Sequence, residues 1–285
     1  MVESHAARPA GKAMNVSRAL AWMGHRSIAA GLWGADDYPQ MQRVLREGSD
    51  LIDVRMTAVE GRTRQNVTVV DALHCREMHL RCRSDLASVR SLRKLKADLG
   101  RLVREGDVCV FAGAMPDGNL LAPAIDVVTH CRRRGARIVI DTHGPALRAL
   151  TQEVGPWLIS PNVEELGELF GAPARDTASA LARSGGRLLD KIENVLISRG
   201  KNGAVLVTRQ GVWSGRAVNP AKVVETVGCG DYLLSGFLAA LDAKGHLAAS
   251  LATGLKAATA QACGWTGWMH WPSARRKVKI EIETL

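Results

Sequence analysis

No apolar run in the 285 residues reaches the roughly 18 needed to span a bilayer. The first fifteen residues, MVESHAARPAGKAMN, also lack the apolar core of a secretory signal, so the expected compartment is the cytoplasm and no membrane partner is expected. Cysteine is scarce: the six, at 75, 82, 109, 131, 229 and 263, form no CxxC pair and no zinc spacing. They read as reduced thiols. No 20–50-residue period and no low-complexity linker is present, which excludes solenoids and arrays. Gly and Pro are scattered, which excludes collagen-like and disordered classes.

The chain is basic, at net +10. It carries no zinc-finger spacing, no RNA-recognition signature and no interleaving of aromatic with basic residues, so no nucleic-acid partner is expected. The densest basic runs are Arg132-Arg133-Arg134 and Arg275-Arg276-Lys277. Solvated faces explain most of this charge, although a positive field also favours phosphorylated ligands.

Between 106 and 210 strand and helix patterns alternate. Strands are expected at 107–113, 137–142, 157–161, 194–199 and 204–208. Helices are expected at 120–135, 145–154 and 163–171, the first and last ending at Gly135 and Gly171. Apolar strands between helices imply a mostly parallel sheet covered on both faces, with ligands at the carboxyl ends of the strands. Asp141, Thr142, Asn162, Glu165, Ser198 and Arg199 cluster at those ends. Residues 50–82 differ: TRQNVTVVDA and REMHLRC alternate polar and apolar residues, as half-exposed antiparallel strands do. The pattern suits a lid and an ordinary edge hairpin equally.

The sharpest chemical signal is Glu225-Thr-Val-Gly-Cys-Gly-Asp-Tyr-Leu-Leu-Ser-Gly-Phe-Leu238. Gly228 and Gly230 flank Cys229, Asp231 follows, and an apolar helix begins. Glycines let backbone N–H groups approach an anion, and a helix start adds unpaired donors and partial positive charge. Phosphoryl transfer needs that surrounding, and a carboxylate beside it can take a proton from an attacking hydroxyl. On the spacing alone, an ordinary helix start capped by Asp231 explains the segment as well.

Thr226 to Phe237 resembles the C-terminal signature of the PfkB, or ribokinase-like, carbohydrate kinases. Four further segments resemble the family in its order. Gly11-Lys12-Ala13-Met14-Asn15 is similar to its G-G-K-G-x-N, and Phe111 to Gly118 to its S-G-S-L-P-x-G. Ile140 to Gly144 is similar to V-D-x-S-G, and Pro161-Asn162-Val163-Glu164-Glu165 to P-N-x-x-E. The resemblance implies a three-layer α/β/α fold in a single domain over 1–285, with a small β lid. The family's first strand and its sugar-binding aspartate find no counterpart before Gly11.

It also implies an ATP-dependent kinase using Mg²⁺. Asp231 would be the general base and Gly228, Cys229 and Gly230 the anion hole. Gly11, Lys12, Asn15 and Asp141 would lie on the sugar side. Asn162 and Glu165 would organise Mg²⁺ through water, and Ser198, Gly200, Gly203 and Thr226 would border the nucleotide. Gly61 to Asn66 is most similar to the 1-phosphofructokinase and tagatose-6-phosphate kinase branch, where Arg64 would hold the phosphate already on the sugar. The expected substrate is therefore a hexose phosphate, and a homodimer through the lid is a further expectation. A non-catalytic ATP-binding paralogue, or a kinase for a free sugar or nucleoside, remains an alternative.

Overall fold

The computed structural model describes residues 9–71, 76–80, 82–218, 222–242 and 246–285. The first described element is helix α1 (Lys12–Trp22). Two short strands, β1 (Ser27–Ala29) and β2 (Leu32–Gly34), lead to α2 (Tyr38–Gly48), β3 (Ile52–Val54) and β4 (Thr57–Val59). A pair follows, β5 (Val67–Asp71) and β6 (Arg76–Leu80), and then α3 (Val89–Leu102). The alternating part comprises β7 (Val108–Ala112), α4 (Leu121–Arg133), β8 (Arg137–Asp141), α5 (Gly144–Glu153), β9 (Leu158–Ile159), α6 (Val163–Phe170), α7 (Ala178–Gly186) and β10 (Asn194–Ser198). It continues with β11 (Ala204–Thr208), β12 (Gly211–Val218), α8 (Cys229–Asp242), α9 (Leu247–Ala262), α10 (Trp271–Lys277) and β13 (Lys279–Thr284).

Local chemistry sets several helix ends. Ser88 and Ser91 close a reciprocal capping box on α3, and Asn162 and Glu165 close one on α6. Gly171 takes the left-handed conformation that ends α6. Pro39 and Pro145 sit in first turns, where a missing N–H leaves no helical bond unmade.

Seven strands form one sheet in the order β13-β12-β11-β10-β9-β8-β7. The β7–β10 part is parallel, and β11, β12 and β13 extend it in antiparallel fashion. Because side chains alternate across a strand, each central strand supplies both faces. Ile138, Ile140, Ile159, Val195, Ile197, Val205 and Val207 pack with Ile125, Leu147, Leu150, Leu166 and Leu181 of α4–α7. Val139, Leu158, Leu196 and Leu206 pack with Leu233, Leu234, Phe237, Leu251 and Leu255 of α8 and α9. This is the three-layer α/β/α arrangement expected. α1 lies in the α8 layer, where Ala19 and Met23 meet Tyr232, Ala257 and Trp271.

The stretch taken as one lid region divides. Only β5 and β6 form an antiparallel ribbon. Residues 52–54 and 57–59 pair instead in parallel with β1 and β2. Their runs are three residues long, too short for periodicity to give a direction. No strand precedes α1 among the described residues, and β7 is an edge of the large sheet. No described helix is long and apolar enough to cross a membrane. Cys82, Cys109, Cys131 and Cys229 form no disulfide; Cys75 lies outside the described residues.

Candidate active site

The carboxyl ends of β7 and β8 form one wall of the site. Gly113 follows β7 and donates its N–H to the Asp141 carbonyl at 3.0 Å. The Thr142 hydroxyl donates to the Gly113 carbonyl at 2.7 Å. Asp141, buried at the end of β8, accepts from Lys12 Nζ at 2.8 Å.

Lys12 opens α1 directly after Gly11, which precedes the helix with φ +128°. Three residues on, and therefore on the same face of the helix, Asn15 Nδ2 donates to Asp231 Oδ2 at 2.7 Å. One turn of α1 thus holds both buried carboxylates. The Ser235 hydroxyl adds a bond to the Asp231 carbonyl at 2.6 Å and one to the Val16 carbonyl at 3.4 Å, fastening α8 to α1.

Asp231 stands in the first turn of α8, where unpaired N–H groups and the helix dipole favour negative charge. Gly228 precedes it at φ +79°, a left-handed conformation that a side chain would strain. A Cβ there would also stand 3.6 Å from Asn15 Nδ2 and 3.8 Å from Asp231 Oδ2. Burial pushes the Asp231 carboxyl up to about 6, the Asn15 hydrogen bond acts against that rise, and Asp141 adds to it. Burial likewise pushes the Cys229 thiol up to about 11, assisted by Glu225 and Asp231, so Cys229 stays protonated beside the carboxylate.

Burial raises Asp141 and Glu165 too, with Lys12 opposing both. Lys12 itself is held above its ordinary value, because Asp141, Glu165 and Asp231 together outweigh its desolvation. One ammonium therefore faces three carboxylates, and Lys12, Asn15, Asp141, Glu165, Gly228 and Asp231 form one electrostatic unit. Asn162 and Glu165 reach it through their capping box: Glu165 N–H donates to Asn162 Oδ1 at 2.8 Å, and Asn162 N–H to Glu165 Oε2 at 2.9 Å. Asn162 also bridges to Ser198 at the end of β10. No group of three or more His, Cys, Asp or Glu side chains among the described residues is placed to hold a metal ion.

Gly200 and Gly203 lie in the turn between β10 and β11, with φ +54° and +84°. The turn is anchored by Asp176, which accepts from Arg199 at 2.7 Å and from Asn202 at 2.9 Å; those bonds hold its carboxyl below the usual range. Thr226 is exposed on the segment before Gly228, beside exposed Val223, Val224 and Val227. Arg64 is exposed on the segment leading into β5, and no hydrogen bond ties it to the carboxylates among the described residues.

Sequence reasoning missed Gln261. Its amide donates to the Val227 carbonyl at 3.0 Å and to Glu225 Oε2 at 3.3 Å, and it accepts from Thr266 at 2.6 Å. Val224 and Glu225 N–H groups both donate to the Ala262 carbonyl. The end of α9 therefore braces the glycine turn. A single buried glutamine in an Ala-rich helix was the one available signal.

A carboxylate at a helix start, behind a left-handed glycine and near the carboxyl ends of parallel strands, is an arrangement chemically suited to transferring an anionic group to a hydroxyl. The model of the pfkB family of carbohydrate kinases matches residues 2–264, and the chain belongs to that family. It is accordingly a carbohydrate kinase, a phosphotransferase with an alcohol group as acceptor. It is 33% identical over 276 residues to the 1-phosphofructokinase of Rhodobacter capsulatus, spanning 93% of this chain and 83% of that protein. It is 25% identical over 235 residues to a tagatose-6-phosphate kinase of Staphylococcus epidermidis, spanning 81% and 74%. In fold it is similar to Escherichia coli phosphofructokinase-2 solved with fructose-6-phosphate: TM-score 0.85 at 20% identity, over 98% of this chain and 91% of that one.

Proposed function

We propose that the chain, acting as one catalytic domain, is an ATP-dependent kinase for a hexose phosphate such as fructose 1-phosphate or tagatose 6-phosphate. The observation that carries this reading is buried Asp231 at the start of α8, hydrogen-bonded to Asn15 and raised to about 6. A base of that strength is ionised at neutral pH and still able to accept a proton. Asp231 takes the proton of the sugar hydroxyl as its oxygen bonds to the γ-phosphorus and the bond to ADP breaks. The N–H groups of Gly228, Cys229 and Gly230 hold the phosphoryl oxygens, and Lys12 offsets their charge. The relatives named 1-phosphofructokinase and tagatose-6-phosphate kinase support the substrate class, and exposed Arg64 suits its existing phosphate.

Exposed Val223, Val224 and Val227 beside the turn suit the apolar face of a nucleotide base. The donor set suits Mg²⁺ held largely by phosphates and water, because one Glu165 oxygen lies outside the capping box and no three-ligand protein cage is present among the described residues. Asn162 and Glu165 would orient the water around it, and the ion would neutralise charge between the phosphates. Free cysteines fit a cytoplasmic setting. The β5–β6 ribbon leaves Val67, Val69, Met78 and Leu80 exposed, which suits a homodimer through that ribbon.

ADP release in a screen of phosphorylated and free sugars tests the reading. Turnover should be highest with a ketohexose phosphate and should fall about 10²-fold or more in Asp231→Asn, the scale of general-base loss. Unchanged turnover in that variant rejects the assignment of the base. Better turnover of free sugars rejects the substrate class.

A further inference from the structure

Half of the net charge lies in one stretch: residues 89–137 hold ten Arg and Lys against five Asp and Glu. The fold gathers part of it around an open cavity of about 440 Å³ between α3 and α4, lined by Arg93, Lys96, Gly100, Arg101, His130 and Arg134. On α3 the spacing of 93, 96 and 100 puts those residues on one stripe, and on α4 His130 and Arg134 are one turn apart. Gly100 permits the crossing, since a Cβ there would stand 2.8 Å from His130 Nε2. A second hollow of about 610 Å³ shares Arg134 and is lined by Arg104, Glu105 and Arg133.

Part of this charge is already matched. Lys96 pairs with Asp126 at 2.7 Å and Arg101 with Asp98 at 3.1 Å. Two other groups are not. Arg93 makes no hydrogen bond or ion pair among the described residues. Arg134 uses only Nε, donating to the Val103 carbonyl at 2.9 Å, so both terminal nitrogens remain. Basic residues at the last turns of α3 and α4 offset the helix dipoles, but Arg93 is in the second turn of α3, outside the reach of that effect. Its charge has no such explanation.

We propose that the α3–α4 groove is a second anion site, separate from the catalytic one, that takes a compact polyphosphate group. Guanidinium forks suit phosphate oxygens. Glu105 in the lining and the carboxylates of Asp98 and Asp126, paired with Arg101 and Lys96, disfavour an extended polyanion, and no lining residue is Phe, Tyr or Trp to stack bases. The groove adjoins the start of β8, whereas Asp141 ends it. At roughly 3.3 Å per residue, a bound group stands more than about 13 Å from the catalytic carboxylates.

Calorimetric titration of the full chain with pyrophosphate tests this in three proteins: the parent, Arg93→Gln/Arg134→Gln, and the exposed control pair Arg275→Gln/Arg276→Gln. The expected result is binding in the parent and the control, weakened at least about tenfold in the groove variant as phosphate hydrogen bonds are removed. Sugar-kinase turnover should be the same in all three. Equal affinity in all three overturns the proposal, as does an absence of binding in the parent. Binding of a short single-stranded RNA without binding of pyrophosphate also overturns it. Should circular dichroism show the double variant unfolded, Arg93→Gln alone decides by the same comparison.

Discussion

Asp231 is placed where it harms stability. Its carboxyl moves from an ordinary 3.8 to about 6 on folding, so the folded chain binds a proton more tightly than the unfolded one. For a raised carboxyl the relative stability is full below the unfolded value and is lost as pH rises through the folded one. Above about pH 6 the buried charge therefore costs roughly 3 kcal/mol, from two units at 1.36 kcal/mol each. Asp231→Asn should raise the thermal midpoint by several degrees at about pH 8 and lose that gain by about pH 4, while turnover collapses. Thermal unfolding at the two pH values checks this. Catalysis needs the ionised form, so kcat/KM should fall on the acid side with a midpoint near 6. The Asn15 hydrogen bond stabilises the carboxylate, so Asn15→Leu should shift that midpoint to higher pH, read from pH–rate profiles.

Among elements, the β5–β6 ribbon has an apolar face left exposed among the described residues. Val67 lies opposite Leu80 and Val69 opposite Met78, so all four share one face. An isolated two-stranded ribbon is marginally stable in water, and a second copy would cover it. If two copies pair through the ribbon as proposed, Val69→Lys combined with Met78→Lys should weaken self-association at least about tenfold, measured by sedimentation, through like charges buried at the contact. The segment before that ribbon carries Arg64. Arg64→Ala should raise KM for a sugar phosphate about tenfold or more and leave KM for ATP near the parent value, measured by varying each in turn.

At the scale of the whole molecule, the sheet ends at β7. Gly113 N–H points to β8, so by alternation those of Cys109 and Phe111 do as well. The N–H groups of Val108, Val110 and Ala112 face the open side, away from β8. Hydrogen exchange should therefore protect Cys109 and Phe111 far better than Val110 and Ala112, whereas β8, paired on both sides, should protect Ile138 to Ile140 uniformly. The paired parallel strands β1–β3 and β2–β4 stand as separate two-stranded units. A segment supplied to the β7 edge would erase the difference within β7.

By itself the sequence determined the alternating strands and helices from 107 to 171, the two strands between 194 and 208, and the glycine turn before Asp231, but not helix α7 or the capping box at Asn162 and Glu165. Each feature so determined is a local pattern, fixed by side-chain period or by the chemistry of adjacent residues. Only the tertiary structure decided which distant residues meet. Lys12 reaches Asp141 across 129 positions and Asn15 reaches Asp231 across 216. It also decided the parallel pairing of 52–59 and the brace of Gln261 under the glycine turn. The rise of Asp231 to about 6 belongs to the same class: it comes from burial beneath α1, and burial depends on how whole elements pack rather than on the order of residues within one.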